Sequence, residues 1–337
     1  MSLGVVRVKC HYCDREAVVR LPYAKLNLCR EHFAEYLLRK LERSVERYKM
    51  FGKGSKVVVG VSGGKDSVTL TKLLSESGLA KLLVVHVNLS IGEYSRISVE
   101  TVRRFSVEHG LDYLIVDLSD YGIGIPELVA KTRRSPCSVC GMVKRYVLNA
   151  LALDLGYDAL ATAHHADDMA VYIVKSFLLQ DYDQLYKISP VNNEVPGLAA
   201  RKIKPLYEFY EFEIESYARL YGLPFVSVKC PFKHVGWLER YVRELLDRAE
   251  EESPGFKISL LRSHARRTLS MRSAEQAKPK ACASCGLISS GAECSFCRFT
   301  RRALGQPMGL VVRRWIIGEA AAGGTHRVTG APPSSVD

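Results

Sequence analysis

The sequence predicts an α/β protein: a parallel sheet with helices on both faces and a zinc-binding module at each end. Three observations predict it. Short β-branched runs alternate with helically patterned segments through the middle of the chain. A glycine turn joins the first run to the first helix of that region. Paired cysteines gather near both ends, in stretches too short to bury a core of their own.

The chain divides into a finger (1–33), a linker helix (34–54), a catalytic domain (55–255), a connecting helix (256–278), a ribbon (279–318) and a disordered tail (319–337). In the finger, Cys10-x2-Cys13 and Cys29-x2-His32 stand fifteen residues apart, two close ligand pairs that suit tetrahedral zinc. A metal that replaces the core explains so short a module. His11 is the rival to His32, but it sits inside the first pair and reads better as a solvated side chain. Helical spacing follows from about Ala34 to Met50, with a charged face that reads as solvated.

The run at 56–61, KVVVGV, reads as a buried parallel strand, and SGGKDS follows at once before a helical stretch. Gly63 and Gly64 let the backbone approach an anion, to which helix-start N–H groups, Lys65, Ser62 and Ser67 add donors. Asp66 after Lys65 and Val59 upstream exclude the Walker pattern, and the dinucleotide GxGxxG spacing is also missing. An acidic residue within a phosphate loop suggests magnesium-bound pyrophosphate, with Asp66 nearest Mg2+. Further strand-like runs lie at 82–89, 112–118, 157–164 and 224–230. Ligands of such sheets sit beyond the carboxyl ends of the strands. SGGKDS, His86-Val87-Asn88, His164-His165-Ala166-Asp167-Asp168 and Cys230 therefore converge there.

Ser135-Pro136 reads as an N-cap and first helical residue, which places Cys137 in the first turn, where thiolate is favoured over thiol. Cys137, Cys140 and Lys144 share one side of that helix. A third cysteine, Cys230, lies ninety positions after Cys140, and no fourth partner is evident. Three ligands fit an iron–sulfur cluster with one open iron, whereas structural zinc closes at four. Spacing alone equally allows a Cys137–Cys140 redox pair with a catalytic thiol, or three separate buried thiols. Near the far end, Cys282-x2-Cys285-x8-Cys294-x2-Cys297 reads as a four-cysteine zinc ribbon.

The net charge of +12, clustered in RSHARRTLSMR, RFTRRAL and VVRR, favours a polyanionic partner. No apolar run approaches the roughly 20 residues of a membrane span, and the start has no signal-peptide core, so the cytoplasm is expected.

SGGKDS, AHHADD and the later Lys204-Pro205-Leu206 resemble the PP-loop ATP pyrophosphatases over roughly residues 55–255. With CSVCGMVKRY, the distant Cys230, the finger and the ribbon, nearly the whole chain resembles the TtuA group of tRNA 2-thiouridine synthetases. The resemblance implies an adenine nucleotide alpha hydrolase-like fold, with ATP at Ser62, Gly63, Gly64, Lys65, Asp66, Ser67, Val87, His164 and Asp167. It also implies a 4Fe-4S cluster on Cys137, Cys140 and Cys230, and catalytic roles for those cysteines, Lys144 and Asp168. Two Zn2+, Mg2+, a tRNA substrate and a ubiquitin-like sulfur donor ending in a thiocarboxylate complete the implied set, in a homodimer. The implied product is 2-thioribothymidine at position 54 of the T-loop, with wobble-uridine thiolation as the alternative. His165 departs from the asparagine that many PP-loop proteins carry. An amide-forming PP-loop ligase would leave the middle cysteines without a role, and a non-catalytic RNA-binding zinc protein would leave the loop without one.

Overall fold

The computed structural model describes residues 8–271, 279–321 and 326–328. Strands β1 (Val19–Leu21) and β2 (Leu26–Leu28) form a small antiparallel ribbon, and α1 (Arg30–Arg47) leaves it. The central region runs β3 (Ser55–Gly60), α2 (Lys65–Ser77), β4 (Ala80–Asn88), α3 (Gly92–Glu108), β5 (Tyr113–Asp117), α4 (Ile125–Ala130), α5 (Pro136–Asp154), β6 (Ala159–Ala161) and α6 (Ala166–Leu178). It continues through α7 (Tyr182–Lys187), β7 (Val191–Asn192), β8 (Lys202–Ile203), α8 (Glu211–Leu220), α9 (Trp237–Glu252) and α10 (Phe256–Met271). Strands β9 (Lys280–Ala281) and β10 (Ile288–Ser289) pair ahead of α11 (Ser295–Leu304), α12 (Gly309–Ala321) and β11 (His326–Val328).

The large sheet has the order β11-β5-β4-β3-β6-β8-β7, and every pairing in it except β7 with β8 is parallel. Val57, Val59, Val84 and Ile115 pack on one face with α1 and α2. Val58, Val85, Leu114 and Val116 face the other way, onto α5 and the C-terminal ribbon. Alternating burial on both faces is why these strands read as continuous apolar runs.

Three sequence expectations meet a different outcome. The run at 224–230 is not a strand: it passes beside the phosphate loop, where the Val226 N–H donates to the Gly63 carbonyl (2.9 Å). Its alternating valines mimic a strand, but its partner is a loop. The charged face of α1 is not wholly solvated, since Lys40 is buried against Glu213. Of the tail read as disordered, 319–321 finish α12 and 326–328 pair with β5, while the rest lies outside the described residues. Residues 272–278 of the connecting segment also lie outside them.

The ribbon is clamped to α5, the helix that carries Cys137 and Cys140. Tyr146 stacks on Phe296 at 4.0 Å, and Arg313 donates to Asp154 and to the Cys285 carbonyl. Gly309 leaves no room for a side chain: a Cβ there would lie 2.5 Å from the Cys297 sulfur and 2.6 Å from Cys285 Cβ.

Candidate active site

At the carboxyl end of β3 the chain turns through Ser62, Gly63 and Gly64 into α2. Gly63 has φ +84, and a Cβ on it would press on Val226 Cγ2 at 3.1 Å. Only glycine meets both demands. No side chain caps α2, so its first-turn N–H groups remain for an anion. The Ser62 N–H donates to Ser67 Oγ (3.2 Å), and Ser67 Oγ donates to the Gly64 carbonyl (2.9 Å), which stiffens the turn. Lys65 reaches Glu211 at 2.8 Å and Asp66 at 3.2 Å. The Asp66 oxygen that faces Lys65, Oδ1, is buried, so its charge lies against that ammonium.

Beyond β6, His164 and His165 lead into α6, with His165 as its N-cap. Its ring is 3% exposed, with Nε2 3.3 Å from Asp168 and Nδ1 3.6 Å from Asp167, too far for a bond. Burial lowers its pKa, but Asp167, Asp168 and Asp66 outweigh burial and raise it above the ordinary value. Asp168, partly exposed, accepts from Arg243 (3.0 Å). Asp167 accepts from Lys257 (2.6 Å) and the Glu211 N–H (2.7 Å). Burial opposes its ionisation, yet His165, Lys257 and the Glu211 N–H hold its carboxyl far below the usual range. Asp167 thus braces α6 against α8 and α10, while Asp168 faces the crevice. Desolvation within the crevice, with the Lys204 ammonium, lowers His164 to about 4, although its ring opens to solvent at the mouth.

Strand β4 runs past its last pairing with β3 at Val85, and 86–88 stay paired with β5, so that their β3-facing edge lies beyond the end of β3. The Val87 side chain is buried, so only its backbone serves that edge. His86 Nδ1 lies 2.8 Å from the Val61 carbonyl, and burial, with the positive charge of Lys144, lowers it to about 4 despite that bond.

Lys144 stands on α5 above the two cysteines. Cys137 is exposed and donates to the Phe232 carbonyl (3.3 Å), two residues beyond Cys230. Burial, and then the charges of the Cys230 and Cys140 sulfurs, push the Tyr94 hydroxyl upward. The segment that carries Cys230 thus touches the start of α5 through the Phe232 carbonyl and the phosphate loop through the Val226 N–H. Among the described residues the three cysteines do not share the packing of the two metal quartets, whose ligand atoms all lie within 4.8 Å of one another. Three thiolates, each binding a different iron, suit a four-iron cluster.

The quartets are Cys10, Cys13, Cys29 and His32, and Cys282, Cys285, Cys294 and Cys297. In the first, His32 Nδ1 lies 3.4 Å from the Cys10 sulfur and 3.3 Å from that of Cys29. His11 instead packs edge-on against Tyr12. Both donor sets fit tetrahedral zinc. Sequence reasoning missed Glu211, Arg243, Lys257 and Tyr94. Each lies on a distant helix and carries no local motif.

A family model of the PP-loop domain matches residues 35–229, and one described as the 2-thiouridine synthetase TtuA N-terminal LIM domain matches residues 9–34. The chain is 37% identical over 294 residues to the tRNA-5-methyluridine(54) 2-sulfurtransferase of Pyrococcus horikoshii, covering 87% of this chain and 93% of that one. The chain belongs to the TtuA group of the PP-loop family. A second TtuA-group relative, the tRNA-5-methyluridine(54) 2-sulfurtransferase of Thermus thermophilus, is 38% identical over 86% of this chain and 90% of its own. The solved U34-tRNA thiolase NcsA from Methanococcus maripaludis, described with its 4Fe-4S cluster, superposes with a TM-score of 0.75. It shares 26% identity and covers 89% of this chain and 97% of that one.

Proposed function

We propose that this TtuA-group protein is an ATP-dependent tRNA sulfurtransferase that converts the 5-methyluridine at position 54 of the T-loop to its 2-thio form. The observation that carries the reading is that one segment links the phosphate loop to the cysteine-bearing helix: the Val226 N–H donates to the Gly63 carbonyl (2.9 Å), and the Cys137 thiol donates to the Phe232 carbonyl (3.3 Å). Activation and sulfur transfer thus share one crevice.

In the first step the C2 carbonyl oxygen of the uridine attacks the α-phosphorus of ATP, and the bond to pyrophosphate breaks. Loop N–H groups and Lys65 stabilise the charge that develops on the departing pyrophosphate. Asp66 and Asp168 would hold Mg2+, which neutralises the phosphates, and Arg243 orients Asp168. Sulfur then adds at C2, and AMP leaves with the original oxygen. Lys144 steadies negative charge on the adenylated base, and His86, which burial keeps neutral, buttresses the Val61 carbonyl at the foot of the loop. Cys137, Cys140 and Cys230 would hold a 4Fe-4S cluster, which supplies an iron site free of protein ligands for exogenous sulfur.

Two Zn2+, one in each quartet, belong to the same reading. So do a ubiquitin-like donor with a C-terminal thiocarboxylate and a homodimeric assembly, both supported by the family resemblance. A reducing cytoplasm is the proposed compartment, because CxxC pairs that serve as metal ligands must be kept from oxidising to disulfides. Among the described residues no helix is long and apolar enough to cross a membrane. The test is an anaerobic reaction of protein, ATP, sulfide and 5-methyluridine-containing tRNA, followed by nucleoside mass spectrometry of mapped fragments. Thiolation at position 54 supports the reading. Thiolation at the wobble uridine would reassign the substrate, and none at all would refute the activity.

A further inference from the structure

A cavity of about 400 Å³ opens between α1 and α10, away from the crevice. Lys40, Arg43 and Arg47 line it from α1, and Arg262 and Arg266 from α10. These five cations have too few carboxylates. Arg47 and Arg262 share the single carboxylate of Glu208, at 2.8 and 2.6 Å, and Lys40 is held by Glu213. Arg266 donates to the Ser263 hydroxyl, and among the described residues neither it nor Arg43 has an acidic partner in an ion pair. The cavity therefore carries excess positive charge in a concave site, where an anion is attracted from several sides.

A second observation points to a ligand. Ser44, on the cavity wall, is 3% exposed, and its hydroxyl has no hydrogen-bond partner. A buried hydroxyl without a partner is costly, and an acceptor oxygen placed among the arginines would satisfy it. The aromatic side chains of the cavity are already committed: Tyr23 and Tyr36 are hydroxyl-bonded to each other at 3.0 Å, and Lys40 donates to Tyr23. The clustered cations and the Ser44 hydroxyl suit the oxygens of a phosphate group.

We propose that this cavity grips a backbone phosphate of the RNA substrate, a reading that rests on the tRNA activity proposed above. The arginines are exposed, as an extended polyanion requires. The same helix connects the cavity to the catalytic crevice, because Lys257 at the start of α10 holds Asp167 while Arg262 and Arg266 follow on later turns. One strand bound at the cavity is thus registered against α6.

The test compares wild type, Arg43→Gln/Arg266→Gln and Ser44→Ala as full-length zinc-loaded proteins. It measures binding of a labelled tRNA transcript from about 0.1 to 0.4 M KCl, with thermal unfolding in inorganic phosphate and in pyrophosphate alongside. The double variant should bind tRNA about tenfold more weakly or worse, with a log–log salt slope shallower by about 0.9, the value for one released phosphate contact. Ser44→Ala should weaken binding too, yet unfold at the wild-type temperature or above, which a purely structural hydroxyl would not do. Unchanged tRNA affinity and slope in both variants would overturn the inference and leave the tRNA reading standing. Loss of phosphate-induced stabilisation with tRNA binding intact would reassign the cavity to a free anion and also overturn it. Failure of wild type to bind tRNA would overturn both readings together.

Discussion

At the scale of single residues, the adjacent carboxylates Asp167 and Asp168 show how one motif splits into two jobs. Asp167 is consumed by Lys257 and the Glu211 N–H, so its charge stabilises the fold. Its folded pKa is depressed, so that stabilisation is complete above the unfolded value of about 3.8 and is lost as pH falls through the folded value. Asp167→Asn should therefore cost about 3 kcal/mol at pH 7, with Lys257 left underpaired. The gap from wild type in denaturant melts should close as pH drops below about 4. Asp168→Asn should instead leave the melt nearly unchanged and cut thiolation by about a hundredfold or more, by removing charge at the reacting phosphates. Gly63→Ala is the third residue-scale case. Its left-handed backbone and the Val226 contact together predict a loss of about 1–2 kcal/mol in the melt, with tRNA-dependent pyrophosphate release falling more than tenfold. The loop residues and both carboxylates were legible in the sequence, because glycine geometry and strand-loop-helix order are local properties. Which carboxylate faces inward was not, because Lys257 lies 90 positions away.

At the scale of elements, α1 is joined to the catalytic domain by a buried ion pair. Lys40 donates to Glu213 on α8 at 2.6 Å, with the side chains 8% and 0% exposed, and Tyr23 of the finger donates to the same carboxylate. Removing one partner of a buried pair is worse than removing both. Glu213→Ala should cost about 3–5 kcal/mol in chemical denaturation, and adding Lys40→Met should recover most of that loss. A loss under about 1 kcal/mol for Glu213→Ala would show that the pair does not join the two elements. Helical periodicity located α1 but read its charged face as solvated, because the partner carboxylate lies 173 positions away. The strand expected at 224–230 failed for a related reason. Alternation of Val226, Ser227 and Val228 resembles a sheet edge, but the segment pairs with the glycine loop and carries Cys230 toward α5. The parallel strands at 56–61, 82–89, 112–118 and 157–164 were legible because their apolar runs are bracketed by turns and helices.

At the scale of the whole molecule, two metal-ligand quartets bracket a sheet whose carboxyl edge carries the phosphate loop. Both zinc-type sites were legible from spacing, since ligand pairs two residues apart are a local signature. Cys137 and Cys140 carry a spacing rule in the sequence, whereas Cys230 arrives from a loop that carries none. The ribbon's hold on α5 through Phe296, Gly309 and Arg313 couples its cysteine quartet to the helix bearing Cys137 and Cys140. Removing zinc from the second quartet, as in Cys294→Ser, should therefore lower iron retention as well as the zinc count in metal analysis. Unchanged iron would separate the ribbon from the active site.

The central claim is that adenylation and sulfur transfer are separable steps in one crevice, the second depending on the three cysteines. The most direct measurement is an anaerobic iron and sulfide count on wild type and Cys230→Ala, with ATP-dependent tRNA thiolation and pyrophosphate release measured on the same samples. Wild type should hold about four iron and four sulfide per chain and thiolate tRNA. Cys230→Ala should lose the iron and the thiolation together while still releasing pyrophosphate. An iron-free Cys230→Ala protein that thiolates at the wild-type rate would refute the role of the three cysteines, and loss of pyrophosphate release in that variant would refute the separation of the two steps.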